Sequence, residues 1–206
     1  MGKIRVMIAD DHTIVRIGLR SVLDYEPDIE IVAEAKNGVE AVHEAEMCRP
    51  NVVVMDLVMP RKDGVAATRE ILRIAPDTRI LILTTFGKSD GIAHAIEAGA
   101  AGAMMKTADD GMIVSAIRRI AKGEQYISPD VRRQLEESPP VAKLSQRQTE
   151  VLKAIAQGRS NKDIAMQLGI RLDSVEDIAN ALYAKLGVSN RAEAVDVAHR
   201  KHLLPA

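Results

Sequence analysis

The sequence predicts a doubly wound α/β domain on a five-stranded parallel sheet, followed by a small all-α domain of helix-turn-helix type. Three observations predict it. Aliphatic runs alternate with stretches of helical spacing five times within residues 1–123, the signature of βα units and a parallel sheet. Residues 124–143 turn polar and contain Pro139-Pro140, which reads as a linker. From Leu144 the spacing is helical, with Gly158, Gly169 and Gly187 as stops. The domains read from these shifts are 1–123, 124–143 and 144–206.

Each element has a local reason. Residues 3–9 are an apolar strand ending in Asp10-Asp11, and residues 12–25 place Ile14, Ile17, Leu19, Val22 and Leu23 at helical spacing until Pro27-Asp28. Residues 29–33 are a second strand, Asn37-Gly38 a turn and 39–48 a second helix. Pro50 leads into Val52-Val53-Val54-Met55-Asp56-Leu57-Val58-Met59-Pro60. Its apolar run reads as a strand buried on both faces. A helix runs from Asp63-Gly64 to Ile74, a strand over 79–83 ends in Thr84-Thr85, and a helix covers 90–98. A strand over 101–105 ends in Lys106 and a helix covers 109–122. Residues 126–135 fit either helix or strand. Beyond the linker, helices are expected over 145–157, 162–168, 173–186 and 190–199. Their short turns suit a helix-turn-helix unit. In the third of these helices Asp173 and Glu176 read as an N-cap and capping-box pair.

Composition excludes several classes. The 206 residues are 47% hydrophobic but only 2% aromatic, so the core is aliphatic and base stacking on aromatics is not the main binding mode. The single Cys48 excludes an intramolecular disulfide and a multi-cysteine zinc site. No apolar run approaches the roughly 18–20 residues of a membrane span, and the N-terminus leads into a strand rather than a signal segment. A cytoplasmic protein without membrane contact is expected. Residues 144–206 carry nine Lys and Arg against seven Asp and Glu, a balance of only +2.

Polar residues at the strand ends carry the chemistry. Asp10 and Asp11 follow the first strand, Asp56 the third, Thr84 the fourth and Lys106 the fifth. In a parallel sheet these ends share one edge, where such folds bind ligands. Three carboxylates offer hard oxygen ligands suited to Mg²⁺. With the cation in place Asp56 stays ionised and can attack phosphorus to give an acyl phosphate. Lys106 supplies a compact positive charge and Thr84 a hydroxyl for the phosphoryl group. Haloacid-dehalogenase-type phosphatases need a second aspartate two residues after the nucleophile. That position is Val58, so the site should hold phosphate rather than turn it over, and no enzyme is expected. His12 adjoins the acids but reads as a first-turn helix residue, because imidazole suits softer metals than Mg²⁺.

These residues resemble a known family across essentially the whole chain. Asp10-Asp11, the Asp56–Pro60 run, Thr84 and Lys106 resemble the flavodoxin-like receiver domain of two-component response regulators. Leu144-Ser145-Gln146-Arg147, the run from Gly158 to Ala165 and Lys185-Leu186-Gly187-Val188 resemble a LuxR-type helix-turn-helix. Together they are similar to a NarL/FixJ-type response regulator. The resemblance implies that Asp56 takes a phosphoryl group from a sensor histidine kinase. It implies that Asp10, Asp11, Asp56 and the backbone of Val58 hold Mg²⁺, and that Thr84 and Lys106 form the switch. It also implies a homodimer on activation and promoter DNA as partner, with Lys162, Arg171, Ser174, Asp177 and Lys185 as candidate DNA contacts. Two departures stand out. Ala103 lies where the family commonly carries an aromatic, and Phe86 is the aromatic nearest in sequence. Glu176 and Ile178 replace a lysine and a histidine of the recognition-helix pattern. The alternative they leave open is a phospho-responsive protein-interaction regulator whose helix-turn-helix binds DNA weakly or not at all.

Overall fold

Apolar strands pair side by side, all parallel, because each is covered on both faces by helices. The computed structural model describes residues 2–85, 89–137, 144–200 and Leu203. The chain divides into two units, residues 1–139 and 140–206. The first unit runs β1 (Ile4–Ala9), α1 (Thr13–Asp24), β2 (Ile29–Ala35), α2 (Gly38–Cys48), β3 (Val52–Asp56), α3 (Gly64–Ile74), β4 (Arg79–Thr84), α4 (Ser89–Glu97), β5 (Gly102–Met105), α5 (Asp110–Ala121), β6 (Tyr126–Ile127) and α6 (Pro129–Glu137). The sheet order is β2-β1-β3-β4-β5-β6.

The period-two alternation of the strands sorts the core into two clusters. Met7, Val53, Met55, Ile80, Ile82, Ala103 and Met105 face α2, α3 and α4, meeting Ala41, Ala67, Ile71 and Ile92. Val6, Ile8, Val52, Val54, Leu81, Leu83 and Met104 face α1 and α5, meeting Leu19, Leu23, Ile113 and Ile117. All five residues of β3 are buried, as are all four of β5, so packing on both faces holds the strand that ends in Asp56.

The sheet has six strands rather than five, and the segment expected to be linker supplies the sixth. Tyr126 and Ser128 donate backbone N–H groups to Ala101 and Ala103, so β6 covers the edge of β5. A sheet edge left open would expose unpaired backbone groups. After it, α6 lays Val131, 0% exposed, into the cluster that holds Ala103 and Met105. Leu135 packs against the same cluster. Two apolar side chains on an otherwise polar helix are too sparse a signal to read from sequence. The remaining linker, residues 138–143, lies outside the described residues.

Two glycines bring helices close to the loop after β3. A Cβ on Gly64 would lie 2.2 Å from the carbonyl oxygen of Asp56, and one on Gly38 would lie 2.3 Å from that of Lys62. Gly64 also donates its N–H to the Leu57 carbonyl at 2.9 Å. The loop from Leu57 to Asp63 is thus gripped at both ends, and Asp63 caps α3 through the Ala66 N–H.

The second unit contains α7 (Gln146–Ala156), α8 (Asn161–Leu168), α9 (Leu172–Leu186) and α10 (Arg191–Arg200). Capping boxes Ser145/Gln148 and Ser160/Asp163 open α7 and α8. Gly169 and Gly187, with φ of 62° and 67°, close α8 and α9, a left-handed conformation that glycine adopts without steric cost. Val151, Leu152, Ile155, Ile164, Val175 and Leu182 form its core. The expected Asp173/Glu176 cap does not form. The helix begins at Leu172 with Arg171 as N-cap, so Asp173 is already helical and pairs with Arg171 at 3.0 Å.

Gly64→Ala is expected to force the end of β3 away from α3 and cost about 1–3 kcal/mol, as overpacking does. A lowered thermal midpoint of the intact chain would register it, and an unchanged midpoint would refute the close approach. Val131→Asp buries an unpaired carboxylate and should cost about 3 kcal/mol or more. Amide exchange in β5 and β6 should then accelerate while that in α7–α9 stays unchanged.

Candidate functional site

Strand register brings the polar residues together. Ala9 pairs with Met55, Asp56 with Leu83, and Thr84 with Met105. The residues that follow these pairs therefore emerge level along one edge. Asp10 is 2% exposed and Asp56 6% exposed, whereas Asp11 is exposed. The Lys106 ammonium lies 2.6 Å from Asp10 Oδ2 and 2.9 Å from Asp56 Oδ2. Its backbone N–H donates to the Thr84 carbonyl at 2.7 Å. Thr84 is buried, and its hydroxyl donates a long bond of 3.4 Å to the Thr85 carbonyl, weak enough to give way to a better acceptor. Leu57 and Met59 are buried and anchor the loop, and Val58 between them is 50% exposed.

Charges at the site act on one another. Burial pushes the Asp56 carboxyl above its ordinary value and the nearby Asp10 charge adds to this, while Lys106 opposes both. Burial works against the Lys106 ammonium, but hydrogen bonds to Asp10 and Asp56 outweigh it and hold the amine above its usual value. One lysine faces three carboxylates, so the edge keeps a surplus of negative charge. Asp10, Asp11, His12 and Asp56 each offer a ligand atom, all within 4.8 Å of one another. That set of clustered oxygens fits a hard divalent cation. His12 is the N-cap of α1, and its Nδ1 lies 2.9 Å from Asp11 Oδ1 and 3.3 Å from Asp10 Oδ1.

Arg16 is not evident from the sequence. Its Nη1 donates to the Asp10 carbonyl at 2.8 Å and its Nε lies 3.4 Å from Glu34. It fixes the turn after β1 from six residues away in the chain, a spacing that matches no local motif. Ala103 is fully buried between β4 and β6. It shares its buried cluster with Val131 and Met105. Phe86 lies outside the described residues.

In the second unit the candidate DNA contacts separate. Lys162 is exposed on α8 and Arg171 is exposed at the start of α9. Asp177 is exposed, Ser174 is half-buried, and Lys185 donates to Gln148 Oε1 at 3.0 Å. Ile178 is half-buried against the core of the unit, so it serves packing. Arg191 donates to the carbonyls of Ile155 and Arg159.

Known proteins share this arrangement. Residues 6–118 match the response regulator receiver domain family, and residues 142–198 match the bacterial regulatory proteins of the luxR family. The transcriptional regulatory protein LiaR of Bacillus subtilis is 39% identical over 98% of this chain and 99% of its own length. The oxygen regulatory protein NreC of Staphylococcus epidermidis is 36% identical over 97% of this chain and 99% of its own. Among solved structures, the response regulator ChrA of a heme-sensing two-component system is 38% identical, with a TM-score of 0.60 over 99% of this chain and 100% of that one. RcsB of Salmonella enterica serovar Typhimurium, bound to promoter P1flhDC with the phosphomimetic BeF3−, is 25% identical, with a TM-score of 0.71 over 97% of this chain and 99% of that one. No described helix is long and apolar enough to cross a membrane. The receiver fold with its acidic edge, followed by the luxR-family unit, places this chain among the NarL/FixJ-type two-component response regulators, a family of transcription regulators.

Proposed function

We propose that Asp56 is the phosphoacceptor through which a sensor histidine kinase controls promoter binding by the second unit. The observation that carries this reading is the Lys106 ammonium bridging buried Asp10 and Asp56 at the strand-end edge. An Asp56 carboxylate oxygen attacks the phosphorus of the kinase phosphohistidine. The P–O bond forms as the P–N bond breaks, and the imidazole leaves as the neutral ring after taking up a proton. Asp10, Asp11, Asp56 and the Val58 carbonyl would hold Mg²⁺, which shields the incoming charge. Lys106 then moves its attraction from the carboxylates to a phosphoryl oxygen, and the Thr84 hydroxyl turns to donate to another. Val58 supplies no carboxylate to serve as a general base on an attacking water, so the acyl phosphate persists and the chain acts as a regulator rather than a hydrolase. Promoter DNA is the partner that the luxR-family match supports, with a homodimer as the activated form and the cytoplasm as the setting. The RcsB–DNA complexes among the structural neighbours favour this over a protein-only partner. Lys162, Arg171 and Lys185 would meet phosphates, and Ser174 and Asp177 would face the groove.

Asp56→Asn should abolish phosphate incorporation from a small phosphodonor with Mg²⁺, and undiminished labelling would refute the assignment. Lys162→Ala should weaken binding of the phosphorylated chain to every duplex alike. It should also flatten the dependence of log K on log salt by about 0.9 for each phosphate that the variant no longer neutralises. An unchanged slope in a salt titration would remove Lys162 from the interface.

A further inference from the structure

We propose that α9 reads DNA through carboxylates and one amide rather than cationic side chains, selecting cytosine and adenine edges and rejecting guanine on the strand it contacts. The inference rests on the reading of α8 and α9 as a DNA-binding helix pair. Val175, Ala179, Leu182 and Leu186 bury one side of α9 in the core of the unit. That fixes which side faces outward. Asp173, Glu176, Asp177 and Asn180 are all exposed, and their spacing of i, i+3, i+4 and i+7 makes one stripe. Ala181 and Ala184 continue it. The stripe carries carboxylates, one amide and methyl groups, and neither lysine nor arginine. Arg171, in an exposed pair with Asp173, lies ahead of the stripe, and Lys185, which donates to Gln148, lies behind it.

Base edges in the major groove differ in what they present. Guanine shows two acceptors, N7 and O6, and is read by arginine or lysine. A carboxylate placed there meets acceptor with acceptor. Cytosine presents the N4 amino group as a donor, which a glutamate or aspartate accepts, and adenine presents N6–H and N7, which match an asparagine amide. Glu176 and Asp177 are therefore suited to cytosine and Asn180 to adenine. The thymine methyl suits the alanines that follow. Glu176, which stands where the family pattern carries lysine, thus becomes a base-selecting residue.

The test is selection from a random duplex pool at low salt, using the full chain with Mg²⁺ and BeF3−, for the wild type and for Glu176→Gln and Glu176→Arg. Circular dichroism confirms that the variants fold. The wild type is expected to enrich a site with a cytosine at one position. Glu176→Gln should change that base to adenine and Glu176→Arg to guanine, each by about tenfold in preference, the size of one good base contact. If both variants shift affinity equally for all sequences and leave base preference unmoved, Glu176 is a solvated surface acid and the proposal fails. If neither the wild type nor the variants retain any duplex at low salt, the DNA reading itself fails and the proposal falls with it.

Discussion

An ammonium held between two buried carboxylates sets the condition on which the rest of this structure depends. Lys106 lies within 3 Å of both Asp10 and Asp56. At an effective dielectric of about 20, each contact is worth on the order of 5 kcal/mol of gross attraction. Removing the ions from water costs several kcal/mol apiece. The cluster therefore adds little net stability. Its consequence is that two carboxylates stay close together and largely out of solvent, at an edge where a cation or a phosphoryl group can alter the balance. Parallel pairing makes this possible, because it alone delivers the ends of β1, β3 and β5 to the same side.

The surroundings decide where such a change in balance is felt. Asp56 ends a strand buried on both faces, and Gly64 packs against its carbonyl. Leu57 and Met59 pin the loop beyond it. A group added to the Asp56 carboxylate meets a backbone that cannot retreat. The more adjustable partners lie across the edge, at Thr84 with its long hydrogen bond and at Lys106 with two competing acceptors. Beside them, Ala103 offers no ring to rearrange. The neighbouring volume belongs to α6, whose Val131 shares a cluster with Ala103, Met105 and Ile92 of α4. Within the first unit, then, the elements next to the site and the segment that precedes the second unit are parts of one packed core.

Much of this was legible because it is periodic. The run Val52–Met55 and the helical spacing of Leu19 and Leu23 announce burial directly, and strand ends inherit their position from the parallel arrangement. Residues whose role comes from tertiary approach were not legible. Arg16 reaches the Asp10 carbonyl only after α1 turns back over the sheet, and Gly38 meets Lys62 only across two loops. The segment 126–137 carries too few apolar residues to declare a strand and a helix. Its order comes from pairing with β5 and from burying Val131. Asp173 shows the opposite error. Its local pattern fits a cap, but the turn after Gly169 delivers the chain into helical geometry two residues earlier, with Arg171 as the N-cap.

Acids on the outer face of α9 pose an electrostatic problem whose resolution separates affinity from selectivity. At the first turn, Asp173 is stabilised by the positive end of the helix dipole and by Arg171. Folding therefore tolerates it. Glu176 and Asp177 gain less from the helix end, and near a phosphate backbone they repel. A duplex that merely attracts cations would be held poorly by such a face, since counterion release is the main source of nonspecific affinity. Base-edge donors are different, because a buried carboxylate that accepts from an amino group has its charge satisfied at short range, where screening by salt is weak. With α9 in the groove as proposed, the same acids would lower affinity for arbitrary DNA and raise the difference between a matched and an unmatched site. On that proposal, weak general attraction and sharp local discrimination would follow from one set of side chains.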